Sequence, residues 1–177
     1  MEESKIRDIA MDMYKAAEEE RRIKKIYEFV KESNKIEGIT RDPSKEELEI
    51  THNFLLLDRV DMEALHTFVS IFEPGARFRC KPGLNVLIST GAVINHRPIP
   101  GGPEVVAKFD QVVGEANAGA HPWIVHQAYE TLHPYTDGNG RSGRMLWAWQ
   151  MVKQAVSPGL ALGFLHAWYY QSLEHGR

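Results

Sequence analysis

Apolar positions recur at helical spacing along most of this chain. Between residues 2 and 33, Ile6, Ile9, Met13, Ala16 and Ala17 are followed by Ile23, Ile26, Tyr27 and Val30, all set among strong helix formers. The pattern predicts one long helix or two in succession, ended by Gly38. Residues 41 to 57 open with "RDPSKEELEI", where Asp42 or Ser44 can cap a helix that begins near Pro43 and carries Leu48, Ile50, Phe54, Leu55 and Leu56. A short helix, "DMEALHTFVSIF", is expected from Asp61, closed by "EPG" at residues 73 to 75. The stretch "NVLISTGAVINH", residues 85 to 96, breaks the helical rhythm: β-branched residues flank Ser89, Thr90 and Gly91 and predict a short hairpin. Helical spacing returns after "RPIPGGP", from Glu104 to about Ala116 with Val105, Val106, Phe109, Val112 and Val113 on the apolar side. Further helices are expected from Pro122 to Leu132, from beside Gly140 through "RMLWAWQMVKQA", and over roughly 159 to 173. With no internal repeat or low-complexity linker, the expected fold class is mainly α: a helical bundle, one unit overall, with one short β-hairpin.

Composition narrows the function classes. The 177 residues are 43% hydrophobic and 25% charged, as in soluble globular proteins, and suffice for one domain with a real core. The formal net charge is -3 and the basic residues are spread out, so no nucleic-acid footprint is present and any anion site is local. The single cysteine, Cys80, excludes an intramolecular disulfide and a cysteine-rich metal site. It suits a reducing, cytoplasmic setting and reads as a small, partly buried apolar residue. The start, "MEESKIRDIAMDMYKAAEEERR", is charged where a signal peptide needs an apolar core. The late apolar stretch "GLALGFLHAWYY" is shorter than a membrane span and carries His166, so it reads as a buried helix and no membrane partner is expected.

The chemistry concentrates in "HPYTDGNGRSGR", residues 133 to 144. Pro134 disfavours the α region for the residue before it, which leaves His133 at the carboxyl edge of the preceding helix. In "DGNGR" two glycines able to take positive φ surround Asn139 just before a helix whose first amides lack partners. Such a turn is an anion cradle, because N–H groups and the helix dipole converge there. Arg141 and Arg144, three residues apart, share a face of the first turn, where the dipole opposes positive charge by a few tenths to about 1 kcal/mol each. An anion such as a polyphosphate would join them. Asp137 would repel that anion unless a cation lay between, and Mg²⁺ is held by one or two carboxylates plus phosphate oxygens.

The bland reading is a polar loop with His133 as a helix cap and Asp137 in an Asx turn. The combination of base, metal ligand, nest and two cations argues for nucleotide chemistry instead. A GxxxxGK[ST] phosphate loop is rejected: "GNGRSGRM" has Arg144 for the lysine and Met145 for the hydroxyl residue, and no strand precedes it. A zinc site of His121, His126 and His133 is disfavoured by spacings of five and seven, which leaves His121 and His126 as packing or surface residues. Trp147, Trp149, Trp168 and Tyr169 read as core at their helical spacings.

The stretch resembles the signature of the Fic family, HPFx[DE]GNGRxxR, at every defined position except that Tyr135 stands where phenylalanine is usual. The resemblance extends over about residues 60 to 150, with "NVLISTGAVINHRPIP" similar to the family's flap and "HPWIVHQAYETL" to the helix leading into the motif. It implies a helical domain that transfers AMP from ATP to a protein hydroxyl. Carried over by motif position, His133 is the general base, Asp137 holds Mg²⁺, Gly138, Asn139 and Gly140 cradle the phosphates, Arg141 contacts the phosphate chain and Arg144 reaches the γ-phosphate. A histidine's unperturbed pKa suits base work near neutrality. The related Doc kinases carry lysine in place of the second glycine of GNG, so Gly140 argues for nucleotidyl transfer over phosphorylation.

"SNKIEG", residues 33 to 38, is similar to the family's inhibitory pattern [ST]xxxE[GN], placing Ser33 and Glu37 in that role. Taken alone it is a helix C-terminus with Gly38 in the left-handed position. Glu37 would nonetheless sit where the dipole disfavours a carboxylate, and the resemblance supplies its partner, Arg144. It implies the subclass with an N-terminal inhibitory helix: residues 1–40 carry the motif and 41–177 form the catalytic domain. The flap would align a target segment by strand addition, with Ile88 over the modified side chain. The expected partner is a protein with a hydroxyl side chain, the chain itself included; a homo-oligomer is compatible with the pattern. The alternatives are removal of AMP by the same site, with Glu37 positioning water, and a catalytically idle nucleotide-binding module.

Overall fold

A computed structural model describes residues 2–90 and 93–154. Among these the elements are α1 (Glu2–Ile36), α2 (Lys45–Leu56), α3 (Met62–Phe72), β1 (Ile88–Thr90), β2 (Val93–His96), α4 (Pro103–Asn117), α5 (Pro122–Leu132) and α6 (Asn139–Lys153). The helix expected over 159 to 173, with His166, Trp168 and Tyr169, lies outside the described residues.

Local chemistry sets the helix ends. α1 is one uninterrupted helix, closed by Gly38 at φ 78. The Gly38 N–H donates to Lys35 O and the Ile39 N–H to Asn34 O, both at 3.0 Å, the paired bonds of a Schellman motif. α2 starts later than Pro43 because Ser44 is its cap: Ser44 Oγ accepts the Glu47 N–H at 3.2 Å, and Glu47 Oε2 accepts the Ser44 N–H at 2.7 Å. Asp42, the other candidate cap, instead bonds Tyr27 and Lys31 on α1 at 2.7 and 2.8 Å. Asp61 caps α3 through the Ala64 N–H, and α4 and α5 each begin with proline.

α6 is the central element. From Asn139 to Leu146 only Gly140 is not fully buried, and the helix packs on α5, α3, α2, α4 and α1. Around it Phe54, Leu65, Phe68, Val105, Phe109, Val125, Met145 and Trp149 form one core, where each large apolar side chain contributes about 1.5–3 kcal/mol by leaving water. Trp149 also donates to Leu57 O at 2.9 Å, and Trp147 packs partly buried against the core. Among the described residues, α1 joins this core through Ile26, Phe29 and Val30. Met13 and Ile23, apolar positions expected to be covered, are exposed. There helix propensity and surface pairs such as Arg21–Glu18 at 3.0 Å shape the helix more than burial does.

β1 and β2 pair antiparallel, Ile88 opposite His96, Ser89 opposite Ile94 and Thr90 opposite Val93, with an irregularity between Ile88 and Ser89. Residues before and after this ribbon close on each other. The Gly101 N–H donates to Asn85 Oδ1 at 3.0 Å, and a Cβ at Gly101 would lie 2.6 Å from Leu84 O and 2.7 Å from Lys81 O. Among the described residues no helix is long and apolar enough to cross a membrane.

Candidate active site

The turn between α5 and α6 places the histidine. His133 is the C-cap of α5 in the left-handed region, φ 50 and ψ 64, the only non-glycine residue with positive φ among those described. Pro134 does exclude the right-handed α region for it, but the backbone turns left-handed rather than extended. That conformation costs of order 1 kcal/mol for a residue with a Cβ and persists where its surroundings hold it. Its N–H donates to Tyr129 O at 2.9 Å, and Nδ1 lies 3.1 Å from Glu130 O. A carbonyl can only accept, so this bond puts the proton on Nδ1 and the lone pair on Nε2. The ring is thereby set as a proton acceptor through Nε2.

The following residues make the turn. Asn139 does not direct its side chain outward; it clamps the Tyr135 backbone, accepting from Tyr135 N–H at 2.8 Å and donating to Tyr135 O at 2.9 Å. The Tyr135 ring packs among His66, Phe78 and Phe109, and its hydroxyl meets His66 Nδ1 at 2.7 Å. His66 is therefore the partner that a buried phenol at this position requires. Burial pushes the Tyr135 phenol pKa up, so it stays a neutral hydrogen-bonding group.

Gly138 caps α6 at φ 75, and its N–H donates to Asp137 Oδ1 at 2.7 Å. The first intrahelical bond runs from Ser142 N–H to Gly138 O at 3.0 Å, so the amides of Asn139, Gly140 and Arg141 precede it at the positive end of the helix dipole. Asp137 is exposed. Among the described residues no three His, Cys, Asp or Glu side chains converge as a metal site. A lone exposed carboxylate beside an anion cradle does suit Mg²⁺, which takes one or two carboxylates and completes its shell with water and phosphate oxygens.

The two arginines are engaged by different carboxylates. Arg144 is 1% exposed; Nη2 donates to Glu37 Oε1 at 2.6 Å and to Ser33 O at 3.1 Å, and Nε donates to Ser33 Oγ at 2.9 Å. The predicted partners Ser33, Glu37 and Arg144 are thus brought together across 107 residues of chain between Glu37 and Arg144. Arg141, also buried, donates to Phe72 O at 3.2 Å, pairs with Glu73 and lies over the Phe72 ring. The charge complement expected of an anion is here supplied by Glu37 and Glu73. Glu73 follows α3 in the expected "EPG" stop, and nothing in its local sequence marks it as Arg141's partner.

Gly140 has a different reason than expected. It lies inside α6 and does not take positive φ. A Cβ there would collide with Glu37 Oε1 and lie 2.9 Å from Arg144 Nη1, so glycine makes room for the ion pair. Gly140→Ala is expected to destabilise the protein by about 1–3 kcal/mol. In a Glu37→Ala background the same change should cost less, because the nearer obstruction, the carboxylate, is gone, leaving Arg144 Nη1 as the remaining close neighbour. Urea unfolding of the four proteins checks this; equal costs in both backgrounds would place the clash elsewhere.

Two residues that hold the site were not singled out from sequence. Arg79, wholly buried, donates Nη1 to Leu132 O at 3.1 Å and His133 O at 2.6 Å, Nε to Leu84 O at 2.8 Å, and Nη2 to Ile99 O. His96 Nε2 donates to Thr131 O at 2.7 Å. An arginine among the alternating basic residues Arg77, Arg79 and Lys81 carries no sequence signal for such a contact. The neighbouring backbone also bridges to the turn, Arg79 N–H to Pro134 O and Thr136 N–H to Arg77 O, each at 2.9 Å.

Behind Arg144, His126 is fully buried, as one of the packing roles expected for it requires, while His121 is exposed. Burial, with the Arg144 charge adding to it, pulls the His126 pKa from 6.5 to about 3, against the opposing backbone hydrogen bond at Gly143. The unfolded chain therefore takes up a proton below pH 6.5 that the folded chain refuses down to about pH 3. His126 therefore costs no stability above pH 6.5 and destabilises the fold increasingly as pH drops through that window. Urea midpoints are expected to fall more steeply from pH 7 to 5 in the wild type than in His126→Gln; parallel slopes would contradict it.

A search of the curated proteins finds no match to this chain. The model of the Fic/DOC family matches residues 5–151, from within α1 almost to the end of α6, a wider span than the signature and its flanks. With the match covering most of the sequence and the family's motif folded as a histidine-bearing turn into a buried helix, the chain belongs to the Fic/DOC family.

Proposed function

We propose that this protein is an adenylyltransferase that moves AMP from ATP to a Ser, Thr or Tyr hydroxyl of a protein, itself included, and that Glu37 holds it in an inhibited state. The observation that carries the reading is a histidine whose Nδ1 is tied to Glu130 O, in one short turn with a helix N-terminus bearing two arginines. In the reaction the target hydroxyl oxygen attacks the α-phosphorus while His133 Nε2 takes its proton. The bond from that phosphorus to the bridging oxygen breaks, and pyrophosphate leaves with the electron pair.

The backbone of Gly138, Asn139 and Gly140 receives phosphate oxygens at the positive end of α6. Arg141 meets the phosphate chain by exchanging Glu73 for it, and Arg144 meets the γ-phosphate by exchanging Glu37. Asp137 would hold Mg²⁺, which when bound supplies charge neutralisation on the phosphates. The ribbon with Ile88 serves as the flap that aligns the target segment. In this reading the first 40 residues regulate and 41–177 form the catalytic unit, acting in the cytoplasm without a nucleic-acid or membrane partner.

A second reading draws on one observation, the Glu37 carboxylate lying directly over Gly140. There it could orient a water for removal of AMP from a modified protein. Incubation with labelled ATP and with an AMP-modified target separates the possibilities. Label on protein supports transfer, release from the modified target supports removal, and binding without turnover would leave an idle nucleotide-binding module.

A further inference from the structure

We propose that Arg79 is a positioning residue that locks the catalytic turn to the β-ribbon, so that the posture of His133 and the base of the flap are set by one guanidinium. The proposal rests on the reading of His133 as the base. Among the described residues the Arg79 side chain donates to four backbone carbonyls: Leu132 and His133 at the end of α5, Leu84 before β1, and Ile99 after β2. A charge buried without a carboxylate partner is costly, and an apolar side chain of similar volume would avoid that cost. Carbonyl dipoles, two of them at the negative end of a helix, offset it here.

The carbonyls at the end of α5 are ones a helix end leaves without partners. Glu130 O is taken by His133 Nδ1, Thr131 O by His96 Nε2, and Leu132 and His133 O by Arg79. His96, the partner of Ile88 in the ribbon register, thus caps the same helix end as Arg79. The left-handed backbone of His133 is clamped on its carbonyl side by Arg79 Nη1 and one residue later by the Arg79 N–H to Pro134 O. The guanidinium is planar and rigid, so it fixes the spacing between the ribbon's two stems and the turn in a way a single ammonium cannot.

The test uses Arg79→Lys and Arg79→Gln in the full chain with Glu37→Gly. With folding verified by circular dichroism, kcat for AMP transfer is expected to fall on the order of 100-fold, as small misplacements of catalytic groups do. The KM for ATP should stay nearly constant, because Arg79 touches none of the residues assigned to the nucleotide. Independently of activity, ¹⁵N NMR of the imidazoles should show His133 as the Nδ1–H tautomer when Arg79 is intact and as a tautomer mixture in Arg79→Lys. Unchanged kcat with an unchanged tautomer in a variant whose Arg79-intact parent transfers AMP would overturn the proposal, as would a rise in KM alone. If that parent transfers nothing, the adenylyltransferase reading fails and the tautomer decides for Arg79. If the variants do not fold, the wild-type guanidinium decides: slow exchange of its N–H groups supports the lock, and exchange at the solvent rate overturns it.

Discussion

Glu37→Gly is expected to label itself with AMP from ATP roughly 5 to 30 times faster than the wild-type chain, the factor equivalent to releasing about 1–2 kcal/mol of restraint. The proposed restraint rests on one contact. Glu37 Oε1 accepts from Arg144 Nη2 at 2.6 Å, and Ser33 holds the same guanidinium through Oγ and its carbonyl. Arg144 is 1% exposed and the Glu37 side chain 36%, so the pair is screened less by solvent and salt than a surface ion pair. In the proposed reading, phosphate and carboxylate compete for one nitrogen, so removing the carboxylate would leave the phosphate unopposed. The same substitution should lower thermal stability, because the buried Arg144 loses the Glu37 counter-charge, while Ser33 offers it uncharged acceptors. Activity and stability thus move in opposite directions. Mass spectrometry after incubation with ATP, alone and in a lysate, measures the first and locates the acceptor; unchanged labelling in an otherwise active protein would remove the inhibitory role from Glu37.

His133→Ala and His133→Asn, each combined with Glu37→Gly, should both lose transfer by a factor of about 10²–10⁴ while ATP binding stays largely intact. The pair is needed because alanine is strained at φ 50 whereas asparagine tolerates that conformation, so only the asparagine variant removes the base with little backbone penalty. Transfer that persisted in His133→Asn would take the base role away from His133. Loss in the alanine variant alone would point to the turn's conformation instead.

Much of this architecture was legible because it depends on neighbours in sequence. The period of Leu65, Phe68, Val69 and Phe72, the caps at Ser44 and Asp61, and the left-handed Gly38 are local features, and each appears in the fold. The signature stretch was legible for the same reason, since the turn and helix it builds are contiguous. Exposure was less so: Met13 and Ile23 fit the helical period of α1, yet both are exposed. Periodicity tells which positions could share a face and says nothing of how far the bundle extends.

The chain's residues alone determined a helical protein whose residues 133–144 join a histidine, a carboxylate and two arginines in one short stretch, and a glutamate before Gly38 suited to pair with one of them. Tertiary structure alone decided the pairings: Arg141 with Glu73, Tyr135 with His66, and Arg79 with the carbonyls that shape His133. It also changed the reason for Gly140 from backbone freedom to space. The division has a physical cause. Helices, caps and turns are set by interactions within a few residues, whereas the partner of a buried charge is whichever group the packing brings within reach, and that group leaves no mark in the charge's own neighbourhood.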